Sequence, residues 1–123
     1  MAIIVIAEDE FLLADMLASI LEEAGHEVRS APHGAGALKL TRTHKPDLVI
    51  TDYMMPLMTG LELAQAIRAD ADLANIPVLL VSGAQGNIGR DNPEYFSAVL
   101  DKPYTQAMMI RAVDELLSHS GSS

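Results

Sequence analysis

The sequence predicts an α/β fold in which a parallel sheet is covered by helices on both faces. Short apolar runs alternate with segments whose apolar residues recur at helical spacing, and the connections between them are short. This alternation indicates right-handed βαβ units. Three of the apolar runs are continuous and rich in Ile and Val, which is typical of strands buried on both faces.

Five segments are candidate strands, and together with the helical segments they fill the chain. The three continuous apolar runs cover residues 2–7, 48–51 and 76–81. We expect a weaker strand at residues 27–31 and a short one at residues 98–100.

Helical periodicity predicts the elements between the strands. The first helix is indicated by apolar residues at i, i+3, i+4 and i+7 spacing and ends at Gly25. We expect further helices over residues 34–44, after Gly60 and after Pro103. Residues 82–93 contain three glycines, two asparagines and a proline, and each interior glycine costs a helix about 1 kcal/mol relative to alanine. The fourth helix should therefore be weak: short, irregular or mobile.

Composition excludes several classes of protein. A chain of 123 residues suits one domain, and the absence of cysteine excludes disulfide scaffolds and thiolate sites. The excess of 17 acidic over 8 basic residues argues against a nucleic-acid surface. The apolar runs are far shorter than the roughly 20 residues of a membrane span, and no basic segment precedes the first of them. We expect a soluble cytoplasmic domain that contacts neither membrane nor nucleic acid.

Four of the predicted strands deliver polar side chains to the sheet edge where ligands bind in open α/β folds. The first strand ends in the acidic triplet Glu8–Glu10, the third in Asp52, the fourth in Ser82 and the fifth in Lys102. Each feature alone has a simpler explanation. For example, the triplet could complement the dipole of the first helix, and Lys102 with Pro103 could mark a helix start. Their combination at one edge favours a functional site.

The chemistry of this set favours a divalent cation and a phosphoryl group. Carboxylates brought together repel one another, and Mg²⁺ (or Mn²⁺), which prefers oxygen ligands, relieves that repulsion. Lys102 can hold an anion, and Ser82 supplies a neutral donor. Asp52 is then the candidate nucleophile, because aspartate forms acyl phosphates. The metal and Lys102 would stabilise the charge of the transferred group.

These residues mark a known family. The sequence resembles the receiver domains of bacterial two-component response regulators, such as single-domain chemotaxis regulators, over residues 3–118. The matching segments are Glu8-Asp9-Glu10, Asp52-Tyr53-Met54-Met55-Pro56, Thr59-Gly60-Leu61-Glu62, Val81-Ser82-Gly83 and Lys102-Pro103-Tyr104. The resemblance implies a flavodoxin-like (βα)5 fold with strand order 2-1-3-4-5. We expect a receiver domain over residues 1–118 and a disordered tail over residues 119–123.

The resemblance also implies a role for each site residue. Asp52 would be the phosphoacceptor and a metal ligand. Asp9 would bind Mg²⁺ directly, Glu8 would reach the ion through water, and the backbone carbonyl of Met54 would be the third protein ligand.

Two further residues complete the implied site, and the resemblance also implies the partners. Ser82 would bond the phosphoryl group and Lys102 would pair with it. The phosphoryl donor would be a histidine kinase or a histidine phosphotransfer protein. The face formed by the fourth helix, the fifth strand and the fifth helix would contact a downstream protein, and the chain would be a monomer or weak dimer.

Several positions depart from the family pattern. Val99 replaces the aromatic residue that usually stands three residues before the lysine, and Gly83 replaces the usual alanine. We therefore expect residues 84–97 to carry the signal by ordering or displacement. Met54 and Ala84 occupy the positions that flank the hydrolytic water, and neither side chain can orient it. This predicts slow autodephosphorylation without assistance.

Three alternatives remain at this point. The chain could be the receiver of a hybrid kinase or of a larger regulator. A small Mg²⁺-dependent aspartyl-phosphate phosphatase would need an acid at the position of Met54. An FMN-binding flavodoxin would need a hydroxyl-rich loop where the acidic triplet stands.

Met54, Met55 and Met58 form an apolar loop suited to packing or to partner contact.

Overall fold

One sheet of five parallel strands organises the chain, in the predicted order β2-β1-β3-β4-β5. The structure, a computed structural model, describes residues 2–83 and 86–121. The strands are β1 (Ile3–Ala7), β2 (Glu27–Ala31), β3 (Leu48–Asp52), β4 (Val78–Ser82) and β5 (Ala98–Asp101).

Five helices connect and follow the strands: α1 (Phe11–Glu23), α2 (Gly34–His44), α3 (Gly60–Ala69), α4 (Gly86–Asp91) and α5 (Gln106–Gly121). α4 has only 6 residues, whereas the others have 10 to 16. The prediction of a short fourth helix is confirmed. Within the described ranges, no helix combines the length and the apolar character needed to cross a membrane.

The three central strands β1, β3 and β4 are buried on both faces, as their continuous apolar runs predict. Ile4 and Ile6 of β1 pack in one cluster with residues of α1 and α5. Val5 and Ala7 point to the opposite face and pack with residues of α2 and α3. Successive side chains of a strand alternate between faces, so strands that are apolar throughout build two cores.

The ends of several elements differ slightly from expectation. β4 begins at Val78 and not at residue 76, since Pro77 has no N–H to donate to a ladder. β3 and β4 each include one more residue than predicted, Asp52 and Ser82. α5 continues to Gly121, three residues into the segment expected as a tail. The domain boundary at residue 118 remains a prediction.

Local sequence signals explain where α1 ends and where α3 begins. Gly25, predicted to stop α1, follows the helix in a left-handed conformation with φ of 96°, which glycine adopts without strain. Thr59 starts α3 with a capping box. Its hydroxyl accepts the N–H of Glu62 at 3.2 Å, and its own N–H donates to the Glu62 carboxylate at 2.9 Å. This pair fixes the start of the helix that follows the Asp52 loop.

Arg68 ties α3 to two loops, a role that the sequence did not reveal. Its guanidinium donates to the backbone carbonyls of Ala74, Ile76, Glu94 and Tyr95. These contacts anchor the connection between α4 and β5 at its carboxyl end. The loop that follows α4 is thus anchored to α3.

Strand register determines which residues meet at the carboxyl edge of the sheet. Ala7 lies beside Thr51, and Asp52 lies beside Val81. Ser82 lies beside Asp101, one residue before Lys102. The ends of β1, β3, β4 and β5 therefore form one row, and the predicted site residues lie at this edge.

Candidate functional site

A cluster of three carboxylates forms the centre of the site. Glu8, Asp9 and Asp52 each offer one carboxylate oxygen, and these oxygens lie within 4.8 Å of one another. Glu8 is buried, Asp52 is partly buried and Asp9 is exposed. The sequence predicted this grouping from the ends of the first and third strands.

Glu8 is held in place by backbone contacts. Its N–H donates to the carbonyl of Ala31 at 3.1 Å, and its carboxylate accepts the N–H of Glu10 at 3.1 Å. Burial raises the pKa of the Glu8 carboxyl, and the negative charge of Asp52 raises it further, while the hydrogen bond from Glu10 and the charge of Lys102 oppose the rise. The cluster therefore concentrates negative charge that a cation would stabilise.

The carboxylate of Asp52 is oriented by its own loop. Oδ1 accepts the N–H of Tyr53 at 2.9 Å. The backbone carbonyl of Asp52 accepts a hydrogen bond from the Thr51 hydroxyl at 2.8 Å. The loop after Asp52 folds back towards β3, where the N–H of Gly60 donates to the carbonyl of Tyr53 at 2.8 Å. A Cβ at Gly60 would overlap the Asp52 carbonyl, so glycine is required for this close approach.

Lys102 is the positive group of the site. Its Nζ lies 3.5 Å from Oδ1 of Asp52 and 3.8 Å from Oε1 of Glu8. Its N–H donates to the carbonyl of Ser82 at 2.8 Å, which fixes the residue to the end of β4. The Lys102–Pro103 peptide bond is cis.

Ser82 is fully buried at the end of β4, beside β3, which carries Asp52. Met54 stands two residues after Asp52, with a largely exposed side chain. Ala84, predicted to flank the hydrolytic water, lies outside the described residues. The structure thus places Glu8, Asp9, Asp52, Ser82 and Lys102 along one edge of the sheet, with Met54 in the loop that follows β3.

Val99, the departure from the family pattern, packs against α4. A Cβ at Gly89 of α4 would overlap Val99 Cγ2, and it would meet Cδ2 of Leu80 at 2.8 Å. The helix therefore approaches β4 and β5 more closely than any larger residue would permit. Val99 fills the space against the helix backbone.

The apolar loop after Asp52 divides into buried and exposed residues. Met55 is buried in the core, and Met58 packs over Gly34 at the start of α2. Met54 and Leu57 are exposed, and Leu57 adopts a left-handed conformation with φ of 69°. The sequence marked the three methionines but did not single out Leu57. The only signal for Leu57 in the sequence was that it is one more apolar residue in a short loop that contains three methionines.

The donor set fits a hard divalent cation. Carboxylate oxygens are the ligands that Mg²⁺ prefers, and an Mg²⁺ site commonly takes one or two carboxylates with further oxygens. The three oxygens are close enough to share an ion, and Asp9 leaves the cluster open to solvent. The Glu8-Asp9-Asp52 cluster could therefore bind a metal.

Comparison with known proteins places this site in a family. The sequence matches the family model of the response regulator receiver domain over residues 4–114. The polar-differentiation response regulator DivK of Brucella anthropi is 29% identical over 116 residues, which cover 93% of this chain and 94% of DivK.

Solved structures agree with the fold and the family. The receiver domain of a signal transduction histidine kinase from Syntrophus aciditrophicus is similar with a TM-score of 0.88 and 30% identity, over 97% of this chain and 92% of that one. The chemotaxis protein CheY4 of Vibrio cholerae shares the fold, with a TM-score of 0.88 at 24% identity over 94% of this chain and 98% of its own. The chain belongs to the response regulator receiver domains, the signalling domains of two-component systems.

Proposed function

We propose that Asp52 accepts a phosphoryl group from the phosphohistidine of a histidine kinase or of a histidine phosphotransfer protein, and that the phosphorylated chain signals by binding a downstream protein. The observation that carries this proposal is the position of Asp52. Its carboxylate belongs to the acidic cluster and lies 3.5 Å from Lys102. A nucleophile, a cation site and a fixed positive charge thus meet in one place.

The residues around Asp52 suit an in-line transfer. An oxygen of Asp52 attacks phosphorus, the bond from phosphorus to the donor nitrogen breaks, and the donor histidine leaves with its electron pair. The N–H of Tyr53 holds the attacking carboxylate in one orientation. Lys102 pairs with the oxygens of the transferred phosphoryl group, and the Ser82 hydroxyl donates a hydrogen bond to that group. The chain catalyses its own phosphorylation and the slow loss of the group.

A bound Mg²⁺ or Mn²⁺ would neutralise charge on the carboxylates and on the incoming phosphoryl oxygens. Glu8, Asp9 and Asp52 would hold it, with the backbone carbonyl of Met54 as a further ligand. Without such a cation, the cluster repels a phosphoryl group, because burial and the negative charge of Asp52 already raise the pKa of the Glu8 carboxyl.

Phosphoryl uptake should therefore depend on a divalent cation. We expect the wild-type chain to gain one phosphoryl group from acetyl phosphate with Mg²⁺, and to gain none when the cation is chelated. Intact-protein mass spectrometry measures the product. Equal uptake in both conditions would contradict the role of the acidic cluster. Continuous turnover of acetyl phosphate, with many equivalents hydrolysed per chain in a few minutes, would favour the phosphatase alternative.

The output face in this proposal comprises α4, β5 and α5. Contact between Gly89 and Val99 holds α4 against the sheet, and Arg90 of α4 pairs with Asp101, one residue before Lys102. A phosphoryl group that attracts Lys102 would pull on the end of β5 and on this ion pair. Because α4 has only one and a half turns or so, few interactions oppose its displacement.

This mechanism predicts a change in protection of α4. We expect amide hydrogen exchange of residues 86–97 to differ between the free chain and the chain with beryllofluoride, a phosphoryl mimic, and Mg²⁺. Exchange in α2, which lies beside the opposite half of the sheet, serves as the internal reference. Unchanged exchange in residues 86–97 would mean that the signal leaves through another element.

A further inference from the structure

Arg68 of α3 holds two loops at the amino edge of the sheet, opposite the acidic cluster. Its guanidinium donates to two carbonyls that precede β4 and two that precede β5, those of Ala74, Ile76, Glu94 and Tyr95. Hydrogen bonds from a charged guanidinium are stronger than those between neutral groups, and its planar fork binds several acceptors in a fixed geometry. The starts of β4 and β5 are therefore held together by one side chain.

Further contacts fix residues 92–97, which we call the anchor turn. The N–H groups of Tyr95 and Phe96 both donate to the carbonyl of Asn92, at 3.0 and 3.2 Å. Ser97 exchanges two hydrogen bonds with the first residue of β4: its N–H donates at 2.8 Å, and its hydroxyl accepts at 3.2 Å. Phe96 is only 4% exposed and packs in the core on the α2 and α3 side of the sheet. The anchor turn is thus bound to α3, to β4 and to the core.

α4, by contrast, is held weakly. It has 6 residues, and a helix of this length is not stable in water without tertiary contacts. It approaches the sheet closely at Gly89, and its Arg90 pairs with Asp101. The two side chains of this ion pair are 54% and 53% exposed, so the pair contributes little to stability.

Asn92 joins the weakly held helix to the anchor turn. Its carbonyl accepts the two N–H groups of the turn, whereas its own N–H donates to the carbonyl of Gly89 at 3.2 Å and its Nδ2 to the carbonyl of Ile88 at 2.7 Å. At the other end, the chain leaves β4 through Gly83, and nothing among the described residues lies within 4 Å of a Cβ built there. One end of the α4 segment is therefore fixed, and the other begins in open space.

We propose that α4 turns about Asn92 when the chain signals, while Arg68 keeps the anchor turn in place. This inference rests on the proposed function, in which Lys102 pulls on the end of β5. It divides the segment expected to carry the signal, residues 84–97, into a moving helix and a fixed turn. Arg68 thereby confines the displacement to α4 and keeps it out of the core.

The contacts that each movement would break favour the pivot. Displacement of the anchor turn would separate Arg68 from two carbonyls and expose Phe96 to water. Both changes are unfavourable, because unpaired polar groups and exposed apolar surface each cost free energy. Rotation of α4 about Asn92 disturbs only the approach of Gly89 to the sheet and the exposed ion pair of the helix.

Amide hydrogen exchange, measured residue by residue by NMR, tests the pivot in the wild type. The free chain is compared with the chain saturated with beryllofluoride and Mg²⁺. We expect the exchange rates of residues 88–91 to change by about tenfold or more, and those of Tyr95, Phe96 and Ser97 by less than about twofold. Changes of similar size in α4 and in the anchor turn would overturn the pivot, as would a change confined to the anchor turn.

Arg68→Lys tests the anchor. Lysine keeps the positive charge, but one ammonium group cannot bind the carbonyls of both loops as the guanidinium does. Arg42→Lys is the matched control, because Arg42 lies on α2 with a side chain that is 58% exposed and pairs with Asp70 at 3.6 Å.

In free Arg68→Lys, we expect the anchor turn to exchange about tenfold faster than in the wild type. With beryllofluoride and Mg²⁺, the change should extend from α4 into the turn. Uptake from acetyl phosphate should stay at the wild-type level, because Arg68 lies at the opposite edge of the sheet from Asp52. Arg42→Lys should match the wild type in all three measurements.

Two results would overturn the proposal: wild-type exchange of the anchor turn in Arg68→Lys, or unchanged exchange of α4 in a wild type that takes up the phosphoryl group. The wild-type comparison decides the pivot by itself even if Arg68→Lys does not fold. A wild type that gains no phosphoryl group from acetyl phosphate with Mg²⁺ would instead refute the proposed function.

Discussion

Asp52→Asn is expected to abolish phosphoryl uptake from acetyl phosphate with Mg²⁺. An amide is not a nucleophile towards phosphorus, and it removes one of the three carboxylates of the cluster. The variant should remain folded, since a partly exposed ion pair such as that of Asp52 and Lys102 contributes little to stability. Intact-protein mass spectrometry and thermal denaturation measure the two effects.

Asp47→Asn is the control for this experiment. Asp47 lies at the opposite edge of the sheet, where its carboxylate accepts the N–H of Ile3 at 2.8 Å, and the oxygen of an amide can do the same. Its phosphoryl uptake should equal that of the wild type. Uptake by Asp52→Asn at the wild-type level would show that another residue is the acceptor. Loss of uptake in both variants would point to a general defect and not to the site.

Gly60→Ala should have the second largest effect, on both stability and uptake. A Cβ at this position would overlap the carbonyl of Asp52 and would lie 3.1 Å from Cα of Tyr53. Neither atom belongs to a flexible side chain, so the start of α3 or the end of β3 must move. Overpacking of this kind costs about 1–3 kcal/mol. Movement of Asp52 away from Lys102 should also slow uptake.

Gly83→Ala provides the comparison, because nothing lies within 4 Å of a Cβ built at Gly83. We expect this variant to unfold at the wild-type urea concentration or slightly above it, since alanine lowers the entropy of the unfolded chain. Gly60→Ala should unfold at a clearly lower urea concentration. If the two variants had equal midpoints, the close approach of α3 to β3 would not be required.

Periodicity was sufficient to predict the architecture because the spacing of apolar residues along the chain determines which face of each helix or strand is buried. Alternating runs of Ile and Val with helical patterns predicted five parallel strands and five helices, which the structure contains. The strand order 2-1-3-4-5, which the family resemblance implied, also agrees with the structure. The weakness of α4 followed from its glycines, since backbone entropy opposes helix formation wherever they stand. Pro77 shows the usual limit: a strand that reads as apolar from residue 76 starts only where an N–H is present.

The site was also predictable in outline. Parallel strands point their carboxyl ends to one edge, so Glu8, Asp9, Asp52, Ser82 and Lys102 were expected together from their positions alone. The roles assigned to them, including that of the Met54 carbonyl, remain proposals. What no pattern supplied was the contact of Gly60 with the Asp52 carbonyl.

The sequence by itself determined the fold, the edge at which the polar residues gather and the absence of an aromatic residue at position 99. Only the tertiary structure decided that Gly89 lets α4 pack directly on Val99, that Arg68 anchors the loop after α4, and that Leu57 is strained and exposed. The physical reason is that burial and hydrogen-bonding preferences act along the chain and repeat with its local period. Close approach between elements, by contrast, depends on how distant segments pack, and no local pattern encodes that distance.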